Sequence, residues 1–122
     1  MTDLCPAILV IDDDVLSLEL YSRELSSNYR VITCESVEGA RENLKNQDFA
    51  ALIIEPTING DEGWALIKEI HGVPPPPVVI VCSVADDRKV GFEQGADAYM
   101  VKPVLPTTLH HLIDQIISRR II

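Results

Sequence analysis

Apolar residues fall along this chain in two rhythms, short solid runs and longer stretches with apolar positions every three or four residues. Ala7–Ile11 is apolar throughout and stops at Asp12, Asp13 and Asp14, which predicts a strand covered on both faces and then a polar loop. Val15–Leu25 carries a helical stripe of Val15, Leu16, Leu18, Leu20, Tyr21 and Leu25. Residues 29–34 read as a second strand, and Ser36 is placed to N-cap a helix reaching about residue 47. Residues 49–54 are a third apolar run, again ending at an acid, Glu55. An amphipathic helix follows over 62–71, with Trp64, Leu66, Ile67 and Ile70 available for burial and Trp64 expected against the sheet. Prolines 74–77 exclude helix and central strand, so that tract is an extended connector. It leads into 78–82, the most β-prone run of the chain. Residues 85–94 give a weaker helix stopped by Gly95; Gly91 inside it costs about 1 kcal/mol against Ala, so a short or mobile element is expected. Ala98–Val101 is a fifth strand, and 107–120 is the clearest helix, with Leu109, Leu112, Ile113, Ile116 and Ile117 on one face. Arg119 and Arg120 stand favourably at its C-terminal end.

Five strand-then-helix units predict an α/β fold, a parallel sheet with helices on both faces. With 122 residues and no repeat, low-complexity tract or linker, residues 1–122 read as a single domain able to bury a core without a staple. In open sheets of this kind the functional crevice lies beyond the C-terminal strand ends. The polar residues there are Asp12, Asp13 and Asp14 after strand 1, Glu55 after strand 3, Ser83 after strand 4 and Lys102 after strand 5.

Ten basic against 19 acidic residues leave a net charge of -9. That surface repels nucleic acid and anionic lipid, so phosphate chemistry must run through a metal ion or a few placed cations. Cys5, Cys34 and Cys82 are odd in number and scattered, neither a disulfide framework nor a zinc site. Cys82, inside a buried strand, is expected to be an inert small hydrophobe. Residues 1–4 lack the features of a signal peptide, and no apolar run approaches the roughly 20 residues of a membrane helix. The cytoplasm is the expected location, with no membrane contact.

Acids, a lysine and a hydroxyl converging on one sheet edge form a hard-oxygen site suited to Mg²⁺, with Lys102 and Ser83 free to contact phosphoryl oxygens. For any single acid the bland alternative, a solvated loop residue or helix cap, competes. His71, His110 and His111 make no metal site, because neighbouring histidines cannot share one helix face.

Two stretches carry a family resemblance over essentially the whole chain. Residues 8–14 (ILVIDDD) and 95–103 (GADAYMVKP) resemble the first and fifth strand motifs of the response regulator receiver domains of two-component phosphorelay signalling, the CheY-like modules. The resemblance implies a flavodoxin-like sheet of order 2-1-3-4-5. It implies a Mg²⁺ site at Asp12, Asp13, Glu55 and Thr57, and a phosphoryl-contacting lysine at Lys102 followed by a cis-bonded Pro103. It also implies a switch hydroxyl at Ser83, a rotating switch aromatic at Tyr99 and the family glycine at Gly63. A plain edge-of-core aromatic is the alternative for Tyr99.

One position departs from the pattern. The family places a nucleophilic Asp where this chain has Glu55, and its Asp-x-x-Met-Pro sequence is replaced by residues 55–59 (EPTIN). A misplacement of about 1 Å costs on the order of a hundredfold in rate, and the extra methylene exceeds that. Glu55 is therefore expected not to accept phosphate at a useful rate and to bind Mg²⁺ only weakly. Its carboxylate either fills the phosphoryl volume, engages Ser83 or Lys102 and mimics an activated state, or merely salt-bridges to Lys102 in one fixed conformation.

The expected function is that of an atypical receiver, not an enzyme, acting through protein contacts on the surface of helix 4, strand 5 and helix 5. Its implied partners are a histidine kinase or other signalling protein, an effector domain beginning after residue 122 or a separate output protein, and a second copy at that same surface. The rivals are a conventional phospho-accepting receiver and a Mg²⁺-dependent phosphohydrolase built on Asp12 and Asp13; the latter lacks a general acid and a lid insertion.

Overall fold

The structure, a computed structural model, describes residues 5–72 and 74–121. Five strands and five helices alternate: β1 Ala7–Ile11, α1 Val15–Leu25, β2 Arg30–Cys34, α2 Val37–Asn46, β3 Ala51–Ile54, α3 Ile58–His71, β4 Val78–Ser83, α4 Arg88–Gln94, β5 Ala98–Val101 and α5 Pro106–Ile121. The strands are parallel and lie in the order β2-β1-β3-β4-β5. That is the order and α/β class the resemblance implies.

The solid apolar runs are the inner strands, buried at every residue because helices cover both faces. The two-residue period then sorts them. Ile8, Val10, Ala51, Ile53, Val78 and Ile80 meet Leu18, Tyr21 and Leu25 of α1 and Leu109, Ile113 and Ile117 of α5. Leu9, Ile11, Leu52, Ile54, Val79 and Val81 meet Val37 and Ala40 of α2 and Leu66, Ile67 and Ile70 of α3, with Trp64 packed against that layer as expected. Each fully buried Ile or Leu contributes about 2 kcal/mol, so the register of the sheet follows from these two faces.

Ser36 caps α2 as the sequence predicts, its Oγ accepting the Gly39 N–H at 3.0 Å. Asp14 caps α1, accepting from Leu16 N at 3.3 Å and from the Ser17 hydroxyl at 2.7 Å. Several boundaries move. Tyr29 precedes β2, buried in a turn with its N–H on the Leu25 carbonyl. Phe49 lies below β3 and not in it. The opening of α3 is left-handed at Asn59, Gly60 and Asp61, so regular helix begins at Glu62 as read from the sequence. α4 is shorter than the expected 85–94, because the backbone of Ala85 and Asp87 bonds Ser83 and Tyr99 instead of a helix.

Cys82 is 1% exposed, and burial pushes its thiol up to about 12, in keeping with an inert core residue. His110 pairs with Glu24 at 2.8 Å and His111 is exposed. The side chain of Arg120 lies outside the described residues, as do residues 1–4. Among the described residues no helix is long and apolar enough to cross a membrane.

Candidate functional site: an acid pocket already filled by Glu55

Asp12 leaves β1 and Glu55 leaves β3 side by side, because Ile11 and Ile54 are register partners in neighbouring strands. Both acids are buried, 2% and 4% exposed, and Ser83 at the end of β4 is wholly buried. Lys102, just past β5, reaches back over this edge. Its Nζ donates to Asp12 Oδ2 at 2.7 Å and lies 3.6 Å from Glu55 Oε1.

Every carboxylate oxygen of the two buried acids has a protein donor. Asp12 Oδ1 accepts the Asp14 N–H at 2.9 Å. Glu55 Oε1 accepts the Val84 N–H at 3.0 Å, and Oε2 accepts the Thr57 N–H at 3.3 Å. Burial raises the pKa of Asp12, opposed by the hydrogen bonds from Lys102 and Asp14. Burial alone would lower Lys102, but the hydrogen bond to Asp12 and the charges of Asp12, Glu55 and Asp14 outweigh it, so its pKa is raised. The pocket is one ammonium shared by two carboxylates.

Of the residues singled out in the sequence, the structure brings Asp12, Glu55, Ser83 and Lys102 together. Asp13 is exposed and does not join them, and Asp14 serves as a helix cap. Thr57 contributes its backbone N–H to Glu55. Ser83 is not hydrogen-bonded to Glu55; its hydroxyl accepts the Ala85 N–H at 3.2 Å, while Glu55 takes the neighbouring Val84 N–H. The Lys102–Pro103 peptide bond is cis, as the resemblance implies. Tyr99 is half-buried, its hydroxyl donating to the Ala85 carbonyl at 2.6 Å and accepting the Asp87 N–H at 3.1 Å.

The residues of the implied metal set, Asp12, Asp13, Glu55 and Thr57, do not gather into one cluster here, Asp13 being exposed and Thr57 meeting Glu55 through its backbone N–H. Each oxygen of Asp12 and of Glu55 accepts one protein hydrogen bond, and a cation would share these oxygens with Lys102 and the backbone amides. Among the described residues no group of three or more His, Cys, Asp or Glu side chains is placed to hold a metal ion. Here Lys102 supplies the positive charge that a divalent ion would bring to Asp12.

The Val84 and Thr57 amides escaped the sequence reading, because a backbone N–H carries no residue signature. Asp14 did carry one, an acid immediately before an apolar periodic stretch. A cavity of about 400 Å³ between α2, α3 and the proline connector lies at the other end of the strands and holds none of these residues.

The model of the response regulator receiver domain matches residues 8–114. The hydrogenase transcriptional regulatory protein HoxA of Cupriavidus necator is 32% identical over 120 residues, 95% of this chain but 24% of HoxA. The two-component response regulator ORR3 of Oryza sativa subsp. indica is 30% identical over 121 residues, 93% of this chain and 92% of ORR3. The crystal structure of the response regulator DrrB, a Thermotoga maritima OmpR/PhoB homologue, superposes with a TM-score of 0.86 at 28% identity, covering 96% of this chain and 54% of DrrB. The chain thus spans about a quarter of HoxA and about half of DrrB, and the match runs from β1 into α5, across every element that builds the acid pocket. The chain belongs to the response regulator receiver domain family.

Proposed function

We propose that this receiver works without phosphorylation, with the Glu55 carboxylate standing where a phosphoryl group would otherwise sit. The observation that carries this reading is the surroundings of Glu55: the Val84 N–H at 3.0 Å and the Thr57 N–H at 3.3 Å donate to it, and the Lys102 ammonium stands 3.6 Å away as an ion pair. Two backbone donors and a nearby ammonium make an oxyanion pocket, and the acceptor's own side chain fills it. For either Glu55 oxygen to attack a phosphoryl donor, the carboxylate must first leave these contacts. The new phosphoryl group would then compete with its own carrier for the same amides.

Of the two roles open to Glu55, the activated mimic is favoured over the idle salt bridge. Val84, which Glu55 holds, begins the loop that Tyr99 clasps at Ala85 and Asp87, so the carboxylate is linked to the element bearing the output surface. A glutamate bearing one charge holds that loop where a phosphoryl group would bring nearly two. Mg²⁺ binds weakly, because it must share Asp12 with Lys102. The domain is a cytoplasmic signalling module and not an enzyme. It acts by protein contact through α4, β5 and α5, on an effector domain, a separate output protein or a second copy, with a histidine kinase or other signalling protein as its upstream partner.

The test is intact mass after incubation with Mg²⁺ and acetyl phosphate. The wild type is expected to remain unlabelled. Glu55→Asp withdraws the carboxylate and frees the amides, so its oxygen can bond to phosphorus as the bond to the acetate oxygen breaks and acetate leaves. That variant should gain about 80 Da, lost again in mild base as an acyl phosphate is. A stoichiometric adduct on Glu55 of the wild type would overturn the proposal and leave a conventional receiver.

A further inference from the structure

The shortest helix, α4, is seven residues long and buries only Gly91. Both of its glycines face an aromatic ring. A Cβ on Gly91 would stand 2.5 Å from Tyr99 Cδ2 and 2.8 Å from Cε2, with Trp64 behind at 3.8 Å. A Cβ on Gly95, the left-handed C-cap at φ 117°, would stand 2.0 Å from His71 Nε2, which donates to the Gly95 carbonyl at 2.6 Å. A Cβ at Gly91 would displace the Tyr99 ring and one at Gly95 the exposed His71 ring, so each ring occupies space a glycine leaves open, while the left-handed backbone at Gly95 favours glycine in its own right. The rings come from the flanking elements: Tyr99 from β5, His71 from the end of α3.

We propose that α4 is positioned by a two-ring clamp, in which Gly91 admits Tyr99 and Gly95 admits His71. The clamp fixes the outward side chains Val90 and Phe92, 44% and 52% exposed, in one register. Gly91 is thereby a positioning residue for the output surface, and the same helix that lacks a buried stripe gains a defined seat. Tyr99 ties the clamp to the acid pocket, since its hydroxyl holds Ala85 and Asp87 in the loop that gives Val84 to Glu55. The functional meaning of the clamp rests on the proposed reading of Glu55, whereas its geometry does not.

A sign reversal tests it. Gly91→Ala should lower the folding equilibrium constant while Tyr99 is present, because the methyl and the ring claim one volume. In a Tyr99→Ala background the same substitution should raise it, by about fivefold, as Ala outranks Gly in a helix. His71→Ala should speed amide exchange over residues 91–95 by about fivefold, the loss of one hydrogen bond, and leave α5 exchange unchanged. Equal effects of Gly91→Ala in the two backgrounds, or unaltered exchange in α4 after His71→Ala, would overturn the clamp. The acetyl phosphate experiment reads Glu55 alone. A labelled wild type together with an intact sign reversal would therefore remove the proposed function and leave the clamp standing.

Discussion

The helices α4 and α5, which flank β5 in sequence, are held by opposite means. α5 lays Leu109, Ile113 and Ile117 into the layer it shares with α1, the first two with no exposure at all. α4 buries one glycine and is held by two rings and three directional hydrogen bonds, from Tyr99 to Ala85, from Asp87 to Tyr99 and from His71 to Gly95. Burial of area is indifferent to small rotations, whereas a ring in a notch or a hydrogen bond to one carbonyl specifies a single pose. A helix of the first kind makes a foundation, and a helix of the second kind can be set or released by changing a few contacts.

That contrast can be broken at its stronger side first. Ile113→Ala should cost about 4 kcal/mol, the transfer loss plus an unfilled cavity, with one cooperative urea transition shifted to lower denaturant. A loss under about 1 kcal/mol would mean that α5 is not held by its buried stripe. Lys102 lies between the two regimes, at the end of β5 where the acid pocket opens. Lys102→Met leaves Asp12 and Glu55 buried without a cation, for an expected loss of about 3 kcal/mol at neutral pH.

The pH dependence follows from the two shifted groups. Lys102 is raised above its ordinary 10.5, so its contribution is complete below 10.5 and is lost as pH rises through the higher folded value. Asp12 is raised above 3.8, so the stability tied to its proton is complete below 3.8 and declines as pH climbs through the folded value. Urea midpoints should therefore show the deficit of Lys102→Met shrinking as pH falls toward 3.8 and again as it rises beyond 10.5. A deficit that is flat across both limits would remove the shared-ammonium account of the pocket.

The smallest effect sharpens the comparison most. Tyr99→Phe keeps the ring in the Gly91 notch and deletes both hydroxyl bonds, for about 1 kcal/mol. Amide exchange should rise over residues 84–94 and stay constant through α5. Equal loosening of both helices would mean that they share one mode of attachment.

The fold was legible because a buried parallel strand cannot hide. Solid apolar runs marked the three inner strands, and the shorter β-prone stretches and helical stripes between and beyond them completed the ten alternating elements. The strand order required family likeness, since apolar runs do not say which of them become neighbours. The pocket was legible in its charged members for the same reason the crevice rule works: residues at the C-terminal strand ends share an edge. Asp13 and Asp14 show the limit. Three consecutive acids look alike in sequence, yet the first is buried on Lys102, the second is exposed and the third caps a helix.

The sequence by itself determined the α/β alternation, the two apolar faces, the acids and lysine of the pocket and the substitution at Glu55, because each rests on side-chain chemistry and period. Tertiary structure alone decided what Glu55 touches, since its strongest partners are the amides of Thr57 and Val84, the latter 29 residues away. It also decided what the glycines of α4 are for. A missing side chain reads in sequence as a weak helix, and only when Tyr99 and His71 arrive from other elements does the empty space become a seat.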